Sequence, residues 1–160
     1  MKKIDLVTPL TVLKLEELTD EEYKLVCKAS SACLNAYAPY SGFHVGAAIL
    51  LDDGTIVTGS NQENAAFPSG MCAERTAAFY AHSQYPHLKF KKIAVSALGQ
   101  EGAVLSEPVS PCGACRQALL EFEKLSGGDV EVLLHCHKKI YRLPSVKSLL
   151  PLSFDSIPDE

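Results

Sequence analysis

Two segments of the sequence each place cysteine where an amphipathic helix is expected to begin. The first is SGMCAERTAAFYA, in which Glu74 follows Cys72 by two positions. The second is SPCGACRQALLEF, which carries Cys112 and Cys115 at C-x-x-C spacing. The start of a helix lowers a thiol pKa, because its unpaired N–H groups and the positive end of its dipole stabilise the thiolate. A fold that brings the two helix starts together would therefore assemble three reactive thiols.

Three thiolates favour zinc. The sequence has six cysteines and starts with no export signal, so we expect them to stay reduced, which favours metal binding or catalysis over disulfides. Alone, a C-x-x-C pair would also fit a redox dithiol or a structural zinc knuckle. A structural zinc ion normally has four protein ligands, whereas a catalytic one keeps a position for water. Three cysteines with no obvious fourth partner therefore predict one catalytic Zn²⁺ per chain.

Glu74 lies where a general base for such a site is needed, in the first turn of its helix. Zinc lowers the pKa of a bound water to about 7, and Glu74 can take that proton and hand it on. Arg75 is placed by adjacency to offset the negative charge of three thiolates on Zn²⁺. The pattern predicts a hydrolytic site. The alternative is a catalytically silent, zinc-stabilised interaction protein, but such a protein has no use for this carboxylate.

Length and charge narrow the classes of partner. A chain of 160 residues with 47% hydrophobic residues fits one globular domain. The net charge of −4 and the scattered Lys and Arg residues argue against a nucleic-acid partner. The apolar runs are shorter than the roughly 18 residues that a membrane span needs, so we expect no membrane association. The interpretation is a cytoplasmic protein that acts on a small molecule.

The predicted elements indicate an α/β fold. A helix begins at Thr19, where Thr19 and Glu22 have capping-box spacing, and a hairpin turn is expected around Asp53 and Gly54. The order is helix, two strands, helix, strand, helix and strand, followed by a short strand and helix. This order predicts a mixed sheet of about five strands covered by helices on both faces. We expect residues 1–18 to be an N-terminal extension of unassigned role and residues 19–160 to form the catalytic domain.

Four motifs in order along the chain resemble one enzyme family. They are YAPYSGFHVGAA, NQENAAFPSG, CAER and PCGACRQ, and the resemblance extends from about Tyr37 to Phe154. The chain is similar to the small zinc-dependent cytidine deaminases, in the all-cysteine variant of their zinc motif. The resemblance implies a three-layer α/β/α sandwich, a homotetramer with shared active sites, and hydrolysis of cytidine and deoxycytidine to uridine and deoxyuridine. A deaminase of the same fold acting on another substrate, such as blasticidin S, is the alternative.

The resemblance also implies roles for individual residues. Cys72, Cys112 and Cys115 would bind zinc, and Glu74 would move protons to the pyrimidine N3 and the leaving amine. The substrate would be contacted by the ribose-binding side chains of Asn61 and Glu63, the ring of Phe43, the backbone of Ala73, and Phe154 of a neighbouring subunit. Arg75 and Gln117 would support the metal ligands.

Three features depart from the family pattern, and the first is the N-terminal extension of residues 1–18. Phe67 stands where many relatives have tyrosine, so a hydrogen bond from that ring is absent here. The segment LHCHKK places His135 and His137 on one face of a predicted strand. Such a pair is more often hydrogen-bonded or solvated than metal-binding, and we assign it no metal.

Overall fold

The computed structural model describes residues 1–157, apart from the side chain of Glu101, and its centre is a six-stranded mixed sheet. The elements are β1 Thr11–Leu13, α1 Asp20–Ala32, β2 His44–Leu51, β3 Ile56–Ser60, α2 Ala73–Gln84, β4 Phe90–Leu98, α3 Gly113–Ser126, β5 Glu131–Cys136 and β6 Lys139–Leu143. The strand order is β1-β6-β5-β4-β2-β3; β4 and β5 are parallel, and the other neighbours are antiparallel. Five short 3₁₀ helices are Leu15–Glu17, Cys33–Asn35, Phe67–Ser69, Gln100–Gly102 and Val146–Leu149.

Helices cover both faces of the sheet. α1 packs on one face, where Leu25 and Ala29 meet Ala48 and Leu50 of β2. α2 and α3 cover the other face in a larger cluster built from the alternate residues of the same strands. This is the predicted three-layer α/β/α fold. Among the described residues, no helix is long and apolar enough to cross a membrane.

Two glycines allow helices to approach the sheet closely, one on each face. A Cβ atom on Gly46 of β2 would lie 2.1 Å from the Ala29 carbonyl oxygen of α1. A Cβ atom on Gly59 of β3 would lie 2.5 Å from the Ala77 nitrogen of α2. Any side chain at either position would therefore push a helix off the sheet.

The sheet has six strands where about five were predicted. The additional strand, β1, lies within the segment predicted to be an extension and pairs antiparallel with β6, with Val12 opposite Tyr141. A three-residue edge strand has too little alternation to be recognised from sequence, because its position depends on a partner far along the chain. The division of the chain at residue 19 stays a prediction.

The histidine pair of LHCHKK does not share a strand face, so that prediction is wrong. β5 ends at Cys136, and His137 begins a two-residue turn into β6 with φ at 35°. Hairpin turns of this length favour such left-handed conformations. His135 faces α1, where its Nδ1 lies 3.1 Å from Ser30 Oγ, and the same nitrogen lies 2.8 Å from Ser96 Oγ of β4.

The buried carboxylate of Glu22 joins α1 to two strands, β4 and β6. The sequence predicted Glu22 as part of a capping box with Thr19, and both hydrogen bonds of that box are present. The same carboxylate also accepts from Lys92 Nζ of β4 and Arg142 Nη2 of β6, each at 2.8 Å. Burial raises the pKa of Glu22, but the hydrogen bonds from Lys92 and Thr19 outweigh that effect and lower it to about 2.

We expect Glu22 to make stability acid-sensitive. A folded-state pKa of about 2 against 4.5 when unfolded stabilises the fold above pH 4.5, and this stabilisation is lost as the pH falls toward 2. The lowered pKa corresponds to about 3 kcal/mol. Urea unfolding of Glu22→Gln should give a free energy of unfolding lower by about that amount at pH 6, with a smaller difference at pH 3. Glu21→Gln, an exposed neighbour, is the control, and an equal loss in both variants would contradict the assignment.

Candidate active site

The three predicted cysteines meet at the starts of α2 and α3. Cys72 is the N-cap residue of α2, Cys112 is the N-cap residue of α3, and Cys115 lies in the first turn of α3. The Sγ atoms of Cys72 and Cys112 are 3.9 Å apart, and those of Cys112 and Cys115 are 3.5 Å apart. All six cysteines of the chain are free thiols.

The spacing of these sulfurs fits zinc. A tetrahedral ion with Zn–S bonds of about 2.3 Å holds its sulfur ligands about 3.8 Å from one another. All three sulfurs here lie within 4.8 Å of each other, and among the described residues this is the one such group of metal-ligating side chains. The structure therefore confirms the predicted zinc site as a group of three thiols that can hold one ion.

Charge around the sulfurs favours thiolate at the N-cap of α2. The hydrogen bond from Cys115 and the guanidinium of Arg75 lower the pKa of Cys72 well below its usual range. The same hydrogen bond and burial raise the pKa of Cys115. Arg75 Nη2 lies 3.7 Å from Cys72 Sγ, so the cation is placed against the sulfur. The cluster thus shares its protons, which an incoming metal ion would displace.

Glu74 is buried beside these thiols. It is the second residue of α2 and is 4% exposed. Burial is the main cause that raises its pKa, and the Cys72 charge adds to it. The thiol of Cys115 and the guanidinium of Arg75 act in the opposite direction. A raised pKa favours the protonated carboxyl group more than in an exposed glutamate, which suits a group that must both take up and deliver protons.

A cavity of about 500 Å³ opens next to Cys72 and Arg75. Its size suits a small molecule of one or two rings. Its wall is formed by the loop before β2, the loop between β3 and α2, and the start of α2. The residues that line it are Tyr40, Ser41, Asn61, Gln62, Glu63, Asn64, Phe67, Gly70, Met71, Cys72 and Arg75.

Both predicted ribose-binding residues, Asn61 and Glu63, line this cavity. Glu63 accepts from the backbone N–H of Tyr40 at 2.9 Å and from the hydroxyl of Ser41 at 2.5 Å, and the Ser41 hydroxyl lowers its pKa. Asn61 accepts from the Val45 backbone at 2.8 Å and donates to the Phe43 carbonyl at 2.9 Å. Glu63 is therefore fixed by the loop before β2, and Asn61 by that loop and the start of β2.

The remaining predicted site residues differ in their position relative to the cavity and the three thiols. Phe43 does not line the cavity, but its backbone is held by Asn61. Ala73 is fully buried at the first position of α2, where its N–H has no partner within the helix. Phe154 is 66% exposed in this chain. Gln117 donates to the Phe154 carbonyl at 2.8 Å, and its hydrogen bonds within residues 1–157 include none to a thiol.

Sequence reasoning missed several residues of the site. Tyr40 and Ser41 belong to the motif YAPYSGFHVGAA, but neither residue was predicted to have a role, and their cavity position depends on the distant Glu63. The ring of Tyr40 packs edge-on against Phe67, with ring centroids 5.8 Å apart. Arg116, next to Cys115, was also missed, although its adjacency to the metal motif is a usable signal.

A family model and curated relatives match this chain. The model for the cytidine and deoxycytidylate deaminase zinc-binding region matches residues 19–126. A cytidine deaminase of Sporosarcina psychrophila is 46% identical over 131 residues, which cover 82% of this chain and 89% of the relative. A cytidine deaminase of Mycobacterium tuberculosis is 39% identical over 134 residues, which cover 82% and 90%.

Solved structures agree with these relatives. The crystal structure of cytidine deaminase from Burkholderia pseudomallei has a TM-score of 0.67 and 35% identity, and the match covers 86% of this chain and all of that one. The crystal structure of the Mycobacterium tuberculosis enzyme has a TM-score of 0.63 and 34% identity, with 85% and 98% covered. Sequence, fold and thiol geometry therefore lead to one conclusion: this chain belongs to the zinc-dependent cytidine deaminase family.

Proposed function

We propose that this chain catalyses the hydrolytic deamination of cytidine and deoxycytidine to uridine and deoxyuridine, with release of ammonia. The observation that carries the proposal is the buried carboxyl group of Glu74 beside three clustered thiols. The curated relatives named above are cytidine deaminases. A purely structural zinc site would not need this carboxyl group, so the cluster supports catalysis.

The metal would be held by the thiolates of Cys72, Cys112 and Cys115. Zinc bound there acts as a Lewis acid and makes a water molecule nucleophilic near neutral pH. Arg75, 3.7 Å from Cys72 Sγ, reduces the net negative charge that three thiolates bring to the ion. The thiols must be reduced to bind zinc, which supports a cytoplasmic location for the enzyme.

Glu74 carries the proton transfers. Its carboxylate accepts a proton from the attacking water and delivers it to N3 of the pyrimidine, which makes C4 electrophilic. The remaining hydroxyl of the water adds to C4, and Glu74 then takes the proton of this new hydroxyl group and gives it to the amino group. The C4–N bond breaks, ammonia leaves and the C4 carbonyl of the product forms. Burial at the start of α2 fixes the carboxyl group and keeps competing water from it.

The cavity favours a nucleoside over a nucleotide. As the family resemblance implies, Asn61 and Glu63 would hydrogen-bond the ribose hydroxyls, and the Ala73 N–H would meet the pyrimidine carbonyl. Phe43 would pack against the nucleoside, although its ring does not line the cavity in this chain. Arg75 is the one basic residue among those that line the cavity, and it is already engaged by Cys72. Glu63 would repel a phosphate. These charges support nucleosides as the preferred substrates.

Ammonia release across a panel of amines tests this proposal. The panel contains cytidine, deoxycytidine, cytosine, deoxycytidine monophosphate, adenosine and blasticidin S. We expect turnover of cytidine and deoxycytidine, with deoxycytidine monophosphate at least about tenfold slower because its phosphate has no cationic partner. Preference for blasticidin S would contradict the proposal in favour of the alternative deaminase. No turnover of any compound by zinc-loaded protein would favour a silent zinc protein.

A homotetramer with shared active sites is the proposed assembly. The C-terminal segment exposes three large apolar side chains: Leu152 is 84%, Phe154 66% and Ile157 81% exposed. Apolar residues clustered in this way mark an interface rather than a solvated tail. We propose that Phe154 enters the nucleoside cavity of a neighbouring subunit, as the family resemblance implies.

Light scattering and kinetics test the shared site. We expect a mass near four chains, and Phe154→Ala should raise KM for cytidine about tenfold while zinc content stays at one per chain. The effect arises because the lost ring would contact substrate from outside its own protomer. Leu125→Ala, which removes an exposed apolar side chain from α3, is a control for general surface effects. A fully active monomer at nanomolar concentration would contradict the shared-site proposal.

A further inference from the structure

The guanidinium of Arg116 makes three hydrogen bonds between the cysteine loop and the C-terminal segment. Nε donates to the Pro111 carbonyl oxygen at 2.8 Å, and Nη2 donates to the Ser110 hydroxyl at 2.9 Å. Nη1 donates to the Leu149 carbonyl oxygen at 2.8 Å. Hydrogen bonds from a charged donor are roughly twice as strong as neutral ones. This side chain therefore ties α3 to the loop before Cys112 and to the last 3₁₀ helix.

Both peptide groups that flank Cys112 are held by this one residue. The preceding carbonyl, that of Pro111, accepts from the Arg116 side chain. The carbonyl of Cys112 itself accepts from the Arg116 backbone N–H at 2.9 Å. Cys112 is exposed, whereas Cys115 is fully buried, so packing fixes Cys115 but not Cys112. The position of Cys112 depends instead on these hydrogen bonds.

The other end of the contact is the segment that carries Phe154. Leu149 is 7% exposed and belongs to the core cluster under α2 and α3. Its carbonyl oxygen is therefore an acceptor with a fixed position. Five residues later, the Phe154 carbonyl accepts from Gln117, the neighbour of Arg116 on α3. One turn of α3 thus holds both the cysteine loop and the C-terminal segment.

We propose that Arg116 is a positioning residue that fixes Cys112 as a metal ligand and aligns the segment that presents Phe154. It acts through these two residues and touches neither metal nor substrate. The inference rests on the proposed function, in which Cys112 binds zinc and Phe154 contacts a nucleoside. Loss of the guanidinium frees the Pro111–Cys112 peptide and the Leu149–Phe154 segment together. Replacing this one side chain should therefore alter both the rate of zinc release and the affinity for substrate.

Zinc transfer to a chromogenic chelator tests the first half of this proposal. Zinc-loaded Arg116→Gln should release zinc about tenfold faster than the wild type, the lower end of the range for residues that orient metal ligands. Ser110→Ala removes one of the three contacts and should accelerate release less. Lys28→Gln removes an exposed cation from α1 and serves as the control. Release from Arg116→Gln at the wild-type rate would overturn the proposal.

Steady-state kinetics test the second half. Arg116→Gln should raise KM for cytidine, and combining it with Phe154→Ala should raise KM by less than the product of the two single effects. Phe154→Ala alone should leave the rate of zinc release unchanged. Fully multiplicative KM effects would overturn the link to the C-terminal segment.

A conservative variant keeps the test decisive if Arg116→Gln does not fold. Arg116→Lys retains the charge and can reach one carbonyl. Its rate of zinc release should therefore lie between the rates of the wild type and Arg116→Gln. If Arg116→Gln does not fold, the rate of Arg116→Lys should exceed that of Ser110→Ala. Release from Arg116→Lys as slow as from the wild type would overturn the proposal. A wild-type chain that binds no zinc or does not deaminate cytidine would instead overturn the proposed function. The two failures are therefore distinguishable.

Discussion

Glu74→Gln is expected to lower kcat for cytidine by at least about 100-fold, the usual range for loss of a general acid and base. Glutamine has nearly the same shape as glutamate, so the 4% exposed site should accept it without repacking. It cannot take a proton from water or deliver one to N3. We expect the variant to keep one zinc per chain and the wild-type melting temperature.

The matched control is Glu121→Gln, which removes an exposed carboxylate from α3. Initial rates measured by ultraviolet absorbance and zinc measured by elemental analysis are needed for both variants. If Glu74→Gln deaminates cytidine near the wild-type rate, another group moves the protons. If it loses zinc instead, Glu74 has a structural role at the metal and the kinetic loss would not report on catalysis.

The second large effect is expected on metal binding. Cys115→Ala removes the fully buried one of the three protein ligands, so zinc affinity should fall by at least about 100-fold. Stability should fall with it, because metal binding contributes to the free energy of folding. Cys112→Ala should act in the same direction. Elemental analysis after dialysis and differential scanning calorimetry measure the two effects.

Cys136→Ala is the control for losing a buried thiol. Cys136 is 4% exposed and lies at the end of β5, away from the cluster, so its loss should leave one zinc per chain. Full zinc occupancy in both Cys112→Ala and Cys115→Ala would mean that other side chains hold the ion. Equal zinc loss in all three cysteine variants would indicate that general destabilisation, not ligand removal, is responsible.

Local sequence signals predicted the parts of the fold and site that depend on local chemistry. The capping box of Thr19 and Glu22 is visible in four residues, and α1 begins where it indicates. The metal group was predictable because Cys72, Cys112 and Cys115 each lie at a helix start, where a thiolate is favoured.

Features that depend on distant partners were not predictable in the same way. The second role of Glu22 needs Lys92, which is 70 residues away, and Arg142, which is farther still. β1 is a strand only because β6 pairs with it. The cavity wall joins Tyr40 to Glu63 through contacts between two loops, and the contacts of Arg116 reach Leu149. Such pairings are set by topology rather than by spacing along the chain.

The N-caps of α2 and α3 have a consequence for how this fold forms. Cys72 and Cys112 make no side-chain capping hydrogen bond, whereas Thr19 caps α1 fully. Uncapped helix starts fray, because their first N–H groups lack partners. A cation that binds the thiolates of both N-cap residues would clamp two helices that are 40 residues apart in the chain. The cofactor would then link the two helices, and its binding would form the catalytic centre and order the first turns of both helices in one step.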